Sequence, residues 1–159
     1  MDRTLTKKGA QSRPLVQDCH GKRLRISVFV DIDGSLAGFY QKGARCLRPD
    51  ALPAIKMLAE HAPVFLWSIV GADNGERLIR EFPKLEPYIA GCYGKDNFPL
   101  HMVEHPYCID DEEMDAQVVQ SHHIIVDTYY GGPDSGLLME AASTIVDHIS
   151  RHFPGPSVS

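Results

Sequence analysis

The stretch Ser27-Val28-Phe29-Val30-Asp31-Ile32-Asp33-Gly34-Ser35-Leu36 runs a short apolar segment into two carboxylates, one residue apart, and then a glycine. From Ile26 to Val30 the segment is nearly all apolar. That is the pattern of a strand buried on both faces, which occurs mainly in parallel sheets covered by helices. Gly34 allows a tight turn directly after the second acid. Such a strand either ends in a solvated turn or carries chemistry, and the neighbouring elements decide between the two.

Upstream, residues 15–18 are expected to pair with residues 24–30 as a hairpin bent at Gly21. Downstream, Pro49 and Asp50 open a helix with Leu52, Ile55, Leu58 and Ala59 on one face, and Pro63 stops it. "VFLWSIV" (64–70) reads as a second buried strand, and "NGERLIREF" (74–82) as a short helix ended at Pro83. "YIAGCYG" (88–94) is a weak third strand. A polar, irregular stretch follows, in which Asp110 to Glu113 read as a solvated helix start. "HHIIVD" (122–127) is a clear strand that again ends in an acid. Residues 136–152 form a closing helix with Leu137, Leu138, Ala141, Ile145 and Ile149 along one stripe, continued by Phe153.

Alternating strands and amphipathic helices predict an α/β protein, a three-layer Rossmann-like sandwich with a mostly parallel central sheet. The 159 residues suit one domain, residues 15–153, between a flexible N-terminus (1–14) and a flexible tail (154–159). The formal charge of −5 disfavours non-specific nucleic-acid binding. No apolar run approaches the roughly 20 residues that a membrane span needs. The first residues have no apolar core of a secretory signal, and the four cysteines lack any C-x-x-C pair, so a cytoplasmic location with reduced thiols is expected. The eight histidines have no cysteine partners at zinc spacing, and a transition-metal site is not expected. Trp67 reads as core packing, and Cys92 and Cys108 as small buried residues.

In parallel α/β sheets ligands bind at the carboxyl ends of the strands. Asp31, Asp33, Ser68, Lys95 and Asp127 are all expected at that edge. A carboxylate there is a competent nucleophile towards phosphorus, and a second one could move the proton. Two acids facing a phosphate need a cation, and Mg²⁺, which prefers hard oxygen ligands, suits them. Asp127 is the natural third oxygen source, while Ser68 and Lys95 would hold the non-bridging phosphate oxygens.

With these residues in place, the chain resembles the haloacid dehalogenase-like (HAD) hydrolase superfamily over residues 24–153. The D-x-D-G-[ST] motif stands as Asp31-Ile32-Asp33-Gly34-Ser35. A hydrophobic strand ending in Ser or Thr is matched by Ser68, the motif lysine by Lys95, and the acid that ends a later strand by Asp127. The resemblance implies that Asp31 is the nucleophile and a metal ligand, and that Asp33 is the acid/base with its backbone carbonyl on the metal. Ser68, Lys95 and Gly34 would contact the phosphoryl group, and Asp127 would complete the Mg²⁺ site. Dehalogenating members lack an aspartate at the position of Asp33, so the implied activity is a phosphomonoester phosphatase working through an aspartyl-phosphate.

The family pattern has a second acid in its last motif, whereas Asp127 is followed by Thr128; the next acid is Asp134. Either Asp134 or Thr128 would complete the site. This departure keeps open a catalytically weak phosphate-binding or regulatory module, and a phosphotransferase remains a further reading. Thirty-six residues between Asp31 and Ser68, and twenty-six between Ser68 and Lys95, leave no room for a large cap domain. The resemblance then implies a large phosphorylated substrate, or a lid from a second copy of the chain.

Overall fold

The computed structural model describes residues 25–39, 42–97, 103–113, 122–133 and 136–154. The expected hairpin partner at 15–18, the two termini expected to be flexible (apart from Pro154) and Asp134 lie outside them.

The strands are β1 (Ile26–Asp31), β2 (Val64–Ser68), β3 (Gly91–Gly94), β4 (His105–Asp110) and β5 (His122–Ile125). They form one all-parallel sheet in the order β3-β2-β1-β4-β5. Helices α1 (Ala51–Ala59), α2 (Ala72–Glu81) and α3 (Leu137–His152) flank it, with no additional domain among the described residues. Helix α2 ends at Glu81, ahead of Pro83 as expected; Phe82 breaks from helical geometry (φ −128°, ψ 72°), and a separate 3-10 turn over Pro83–Tyr88 buries Leu85.

Alternation along β1 sorts its side chains between two buried faces. Val28 and Val30 join Val64, Leu66, Cys92, Tyr107 and Ile109 beneath the helices, where Ile55, Leu58, Leu78, Leu138 and Ile145 close the core. The opposite face carries an aromatic row. Phe29 stacks on Phe65 with centroids 5.3 Å apart, and Phe29 also meets Trp67. Tyr93 extends the row beyond Phe65. Trp67 is fully buried, so the packing role read from the sequence holds.

Two features of the sheet differ from the sequence expectation. The stretch from His105 to Asp110, read as irregular, is a strand paired with β1 itself. Pro106 is tolerated there because it is the second residue of the strand, ahead of the buried run Tyr107-Cys108-Ile109. "HHIIVD", read as a clear strand ending in an acid, is the half-exposed edge strand β5 and stops at Ile125.

Two contacts fasten α3. Gly136, at the N-cap just before it, has a left-handed backbone and no side chain to cap the first turn. Asp50, at the start of α1, accepts a hydrogen bond from Met139 N at 2.8 Å and fills that place across the fold. Near the other end, the Tyr107 hydroxyl and His148 Nδ1 share a hydrogen bond of 2.7 Å. The His148 ring lies 4.4 Å from that of His122 and 4.2 Å from that of His152.

Asp50→Ala is expected to lower stability by about 1 kcal/mol, up to about 2, with Asp50→Asn losing less because it keeps an acceptor. Urea denaturation midpoints at constant slope would read this. His148 is pushed below its ordinary 6.5 by burial, then by His122, His152 and Arg151. Its neutral form thus favours the folded state above about pH 6.5, and that contribution is lost as pH falls through the depressed value. In chelator-treated protein, the stability lost between pH 7 and pH 5 should be smaller for His148→Gln than for the parent chain.

Candidate functional site

The register of the sheet builds the site. Val30 pairs with Ile109, so the next residues, Asp31 and Asp110, end adjacent strands side by side. On the other flank Asp31 pairs with Trp67, one residue before Ser68, and Ser68 pairs with Gly94, one residue before Lys95. Four chemically active side chains therefore reach one sheet edge by counting along the strands.

Asp31, Asp110 and Asp111 offer carboxylate oxygens that all lie within 4.8 Å of one another, the one such group of three or more among the described residues. Asp31 and Asp110 are buried and Asp111 partly so. Lys95 is their counter-ion. Its Nζ lies 2.6 Å from Asp110 Oδ2 and 3.0 Å from Asp31 Oδ1, above the Trp67 ring. Ser35 Oγ lies within hydrogen-bonding distance of Asp31 Oδ2 (3.0 Å) and of Asp111 Oδ1 (3.3 Å). The Thr128 hydroxyl donates to Asp111 Oδ2 at 2.9 Å.

Burial first, and the Asp110 charge second, push the Asp31 carboxyl up to about 8 against the opposing pull of Lys95. Burial pulls Lys95 down, but Asp31 and Asp110 outweigh it and raise the ammonium above its ordinary value. Lys95 thus pairs with two of the three carboxyls. A divalent ion with oxygen preference fits this donor set, since its charge would favour ionised Asp31 and offset the crowding.

Gly34 sits at φ +86°, and a Cβ there would lie 2.3 Å from Asp111 Oδ2. The glycine is thus required both by its backbone and by the close approach of the acid. Its amide donates to Ala37 O within the turn, and its carbonyl accepts from Tyr129 N, so these polar groups hold the loop together.

Asp33 stands outside the group of three and is held from α2 and the loop before α1. Asn74 Nδ2 donates to Asp33 Oδ2 at 2.8 Å and to Ser68 Oγ at 2.9 Å. Arg45 reaches Asp33 Oδ1 at 3.4 Å. Ile69 and Val70, directly after Ser68, are 76% and 75% exposed, and Phe39 meets Tyr130 at the same end of the sheet. Ile69 and Val70 form an exposed apolar side next to Ser68.

The expected third metal ligand, Asp127, is not brought into this group. Its side chain is exposed beyond the end of β5, its carbonyl accepts from the Arg48 guanidinium, and it stands outside the group of three carboxylates. The edge position of β5 causes this: the strand beside β1 is β4, and β4 delivers Asp110 and Asp111. Thr128 does reach the site, as a hydrogen-bond donor to Asp111. The missed signal was "YCIDD" (107–111), an apolar run closed by two adjacent acids. Asn74 and Arg45 carried no signal in one dimension, because their partners are distant in sequence.

Among the described residues no helix is long and apolar enough to cross a membrane. No family model matches the chain, and no curated protein matches it.

If the triad holds a divalent ion, millimolar Mg²⁺ should raise the melting temperature of chelator-treated protein. A hundredfold excess over Kd corresponds to about 2.7 kcal/mol, or roughly 5–10 °C for a chain of this size. Asp110→Asn should abolish the shift, while Asp127→Asn should retain it. The reverse pattern would reinstate Asp127.

Proposed function

We propose that this chain is a Mg²⁺-dependent phosphohydrolase of the HAD-like type, acting on phosphomonoesters through an aspartyl-phosphate on Asp31. The observation that carries the reading is the meeting of Asp31, Asp110, Asp111 and Lys95 at the carboxyl edge of a parallel sheet. Asp33 and Ser68 are tied to each other through Asn74 beside them.

In this reading an Asp31 oxygen attacks phosphorus while the bond to the leaving oxygen breaks. Asp33 gives that oxygen its proton and leaves as a carboxylate. Water then attacks the acyl phosphate, Asp33 takes the water's proton, and the Asp31 carboxylate is restored as phosphate departs. Lys95 and Ser68 supply positive charge and a hydrogen bond to the non-bridging oxygens. Asp31, Asp110 and Asp111 would hold the metal, together with the Asp33 carbonyl that the resemblance implies. When bound, the ion supplies charge neutralisation to the phosphoryl oxygens.

A weak binding module is the alternative, because Asp127 has no acidic neighbour; Asp110 followed directly by Asp111 would supply such a pair, which favours turnover. The exposed apolar side at Ile69 and Val70 suits a large phosphorylated substrate, or a lid from a second copy, as expected for a chain without a cap.

The test is phosphate release from a broad panel of phosphoesters with Mg²⁺. Wild type should turn over at least one of them, and Asp31→Asn should lose on the order of 10³-fold or more. Equal rates for the two proteins across the panel would sink the proposal.

A further inference from the structure

Asn74 occupies the third position of α2, and its side chain makes three hydrogen bonds to three separate segments. Its Oδ1 accepts from Arg45 Nη1 at 2.9 Å. A guanidinium only donates, so the atom facing it is the amide oxygen, and the orientation of the amide follows from chemistry. Arg45 is itself held by a fork to Glu81, Nε at 3.3 Å and Nη2 at 3.4 Å, with its side chain fully buried. The Nδ2 group is then left facing Asp33 Oδ2 and Ser68 Oγ.

Ser68 Oγ also accepts from Val70 N at 3.2 Å. A hydroxyl oxygen has two lone pairs, and Asn74 and Val70 occupy both. Its single O–H must therefore donate elsewhere. The same amide that presents Asp33 thus also sets the Ser68 hydroxyl as a donor.

We infer that Asn74, oriented by Arg45, is the positioning residue that places Asp33 for proton transfer and Ser68 for anion contact. This inference rests on the phosphohydrolase reading. Asn74 touches neither Asp31 nor Asp110 nor Asp111 in any bond given above, so its loss should impair proton transfer without emptying the carboxylate site.

The discriminating experiment compares two substrates in full-length protein with Mg²⁺. An alkyl phosphate such as glycerol phosphate needs its leaving oxygen protonated, whereas p-nitrophenyl phosphate, with its acidic phenol, does not. Asn74→Ala should lose on the order of 10²-fold in kcat/KM, which reads aspartyl-phosphate formation, on the alkyl ester and tenfold or less on the aryl ester, and the losses are compared in that constant. The Mg²⁺-induced melting shift should be retained. Asn74→Ser, which keeps one donor, should lie between the two and serves in its place if the alanine variant does not fold. Equal losses on both substrates, no loss on either, or a vanished Mg²⁺ shift would overturn the assignment. A wild type inactive on every ester would instead overturn the phosphohydrolase reading, and this inference with it.

Discussion

The site depends on a conflict between sheet register and electrostatics. Parallel pairing of β1 with β4 ends two neighbouring strands in carboxylates, Asp31 and Asp110, with Asp111 immediately after. Two unit charges 4 Å apart repel by about 4 kcal/mol at the dielectric typical of a protein surface, and burial adds to that. The chain offsets it by bringing one ammonium, Lys95, from directly after β3 across β2 to reach both acids. Trp67 lies beneath that ammonium and belongs to the aromatic row that fills its face of the sheet. Core packing and site geometry therefore share residues, and neither can be altered alone.

The loop after β1 answers the same constraint. Asp111 can approach only because residue 34 lacks a Cβ, and the Tyr129 amide pins the carbonyl of that glycine. Ser35 and Thr128 then furnish hydroxyls to the crowded oxygens. The motif D-x-D-G-S thus has a separate physical reason at each of its polar positions. Asp31 belongs to the carboxylate group, Gly34 clears space, Ser35 donates, and Asp33 is held by Asn74 and Arg45.

The central strand, β2, the weak β3 and all three helices were legible in the sequence, because each shows periodic burial or a long apolar run. The order of strands was not. "HHIIVD" carries more β-branched and apolar character than "HPYCID", yet the first lies at the edge and the second next to β1. Intrinsic strand preference reports how well a side chain suits a pleated surface, not where topology places the strand. Asp31, Asp33, Ser68 and Lys95 were legible because each closes or follows a readable strand. Asp110 and Asp111 were hidden because a proline and a run of acids made their strand resemble a loop. Asn74 and Arg45 could not be found at all, since hydrogen bonds to residues 29 to 41 positions away leave no local pattern.

Burial, with Asp110 beside it, holds the Asp31 carboxyl up at about 8. An acid buried beside another acid lowers stability at neutral pH, and a fold under selection for stability alone would replace one of the pair. Substituting an apolar residue for Asp110 would remove the repulsion and leave Lys95 with Asp31 as a simple ion pair. Among the described residues the site keeps three acids for one lysine, a stoichiometry that structural ion pairing does not require. Lys95 is committed to Asp31 and Asp110 in this state, so it could face an anion only if another positive charge took over those acids. The excess of carboxylate over ammonium is thus itself an argument for a cation, independent of any resemblance to a known family.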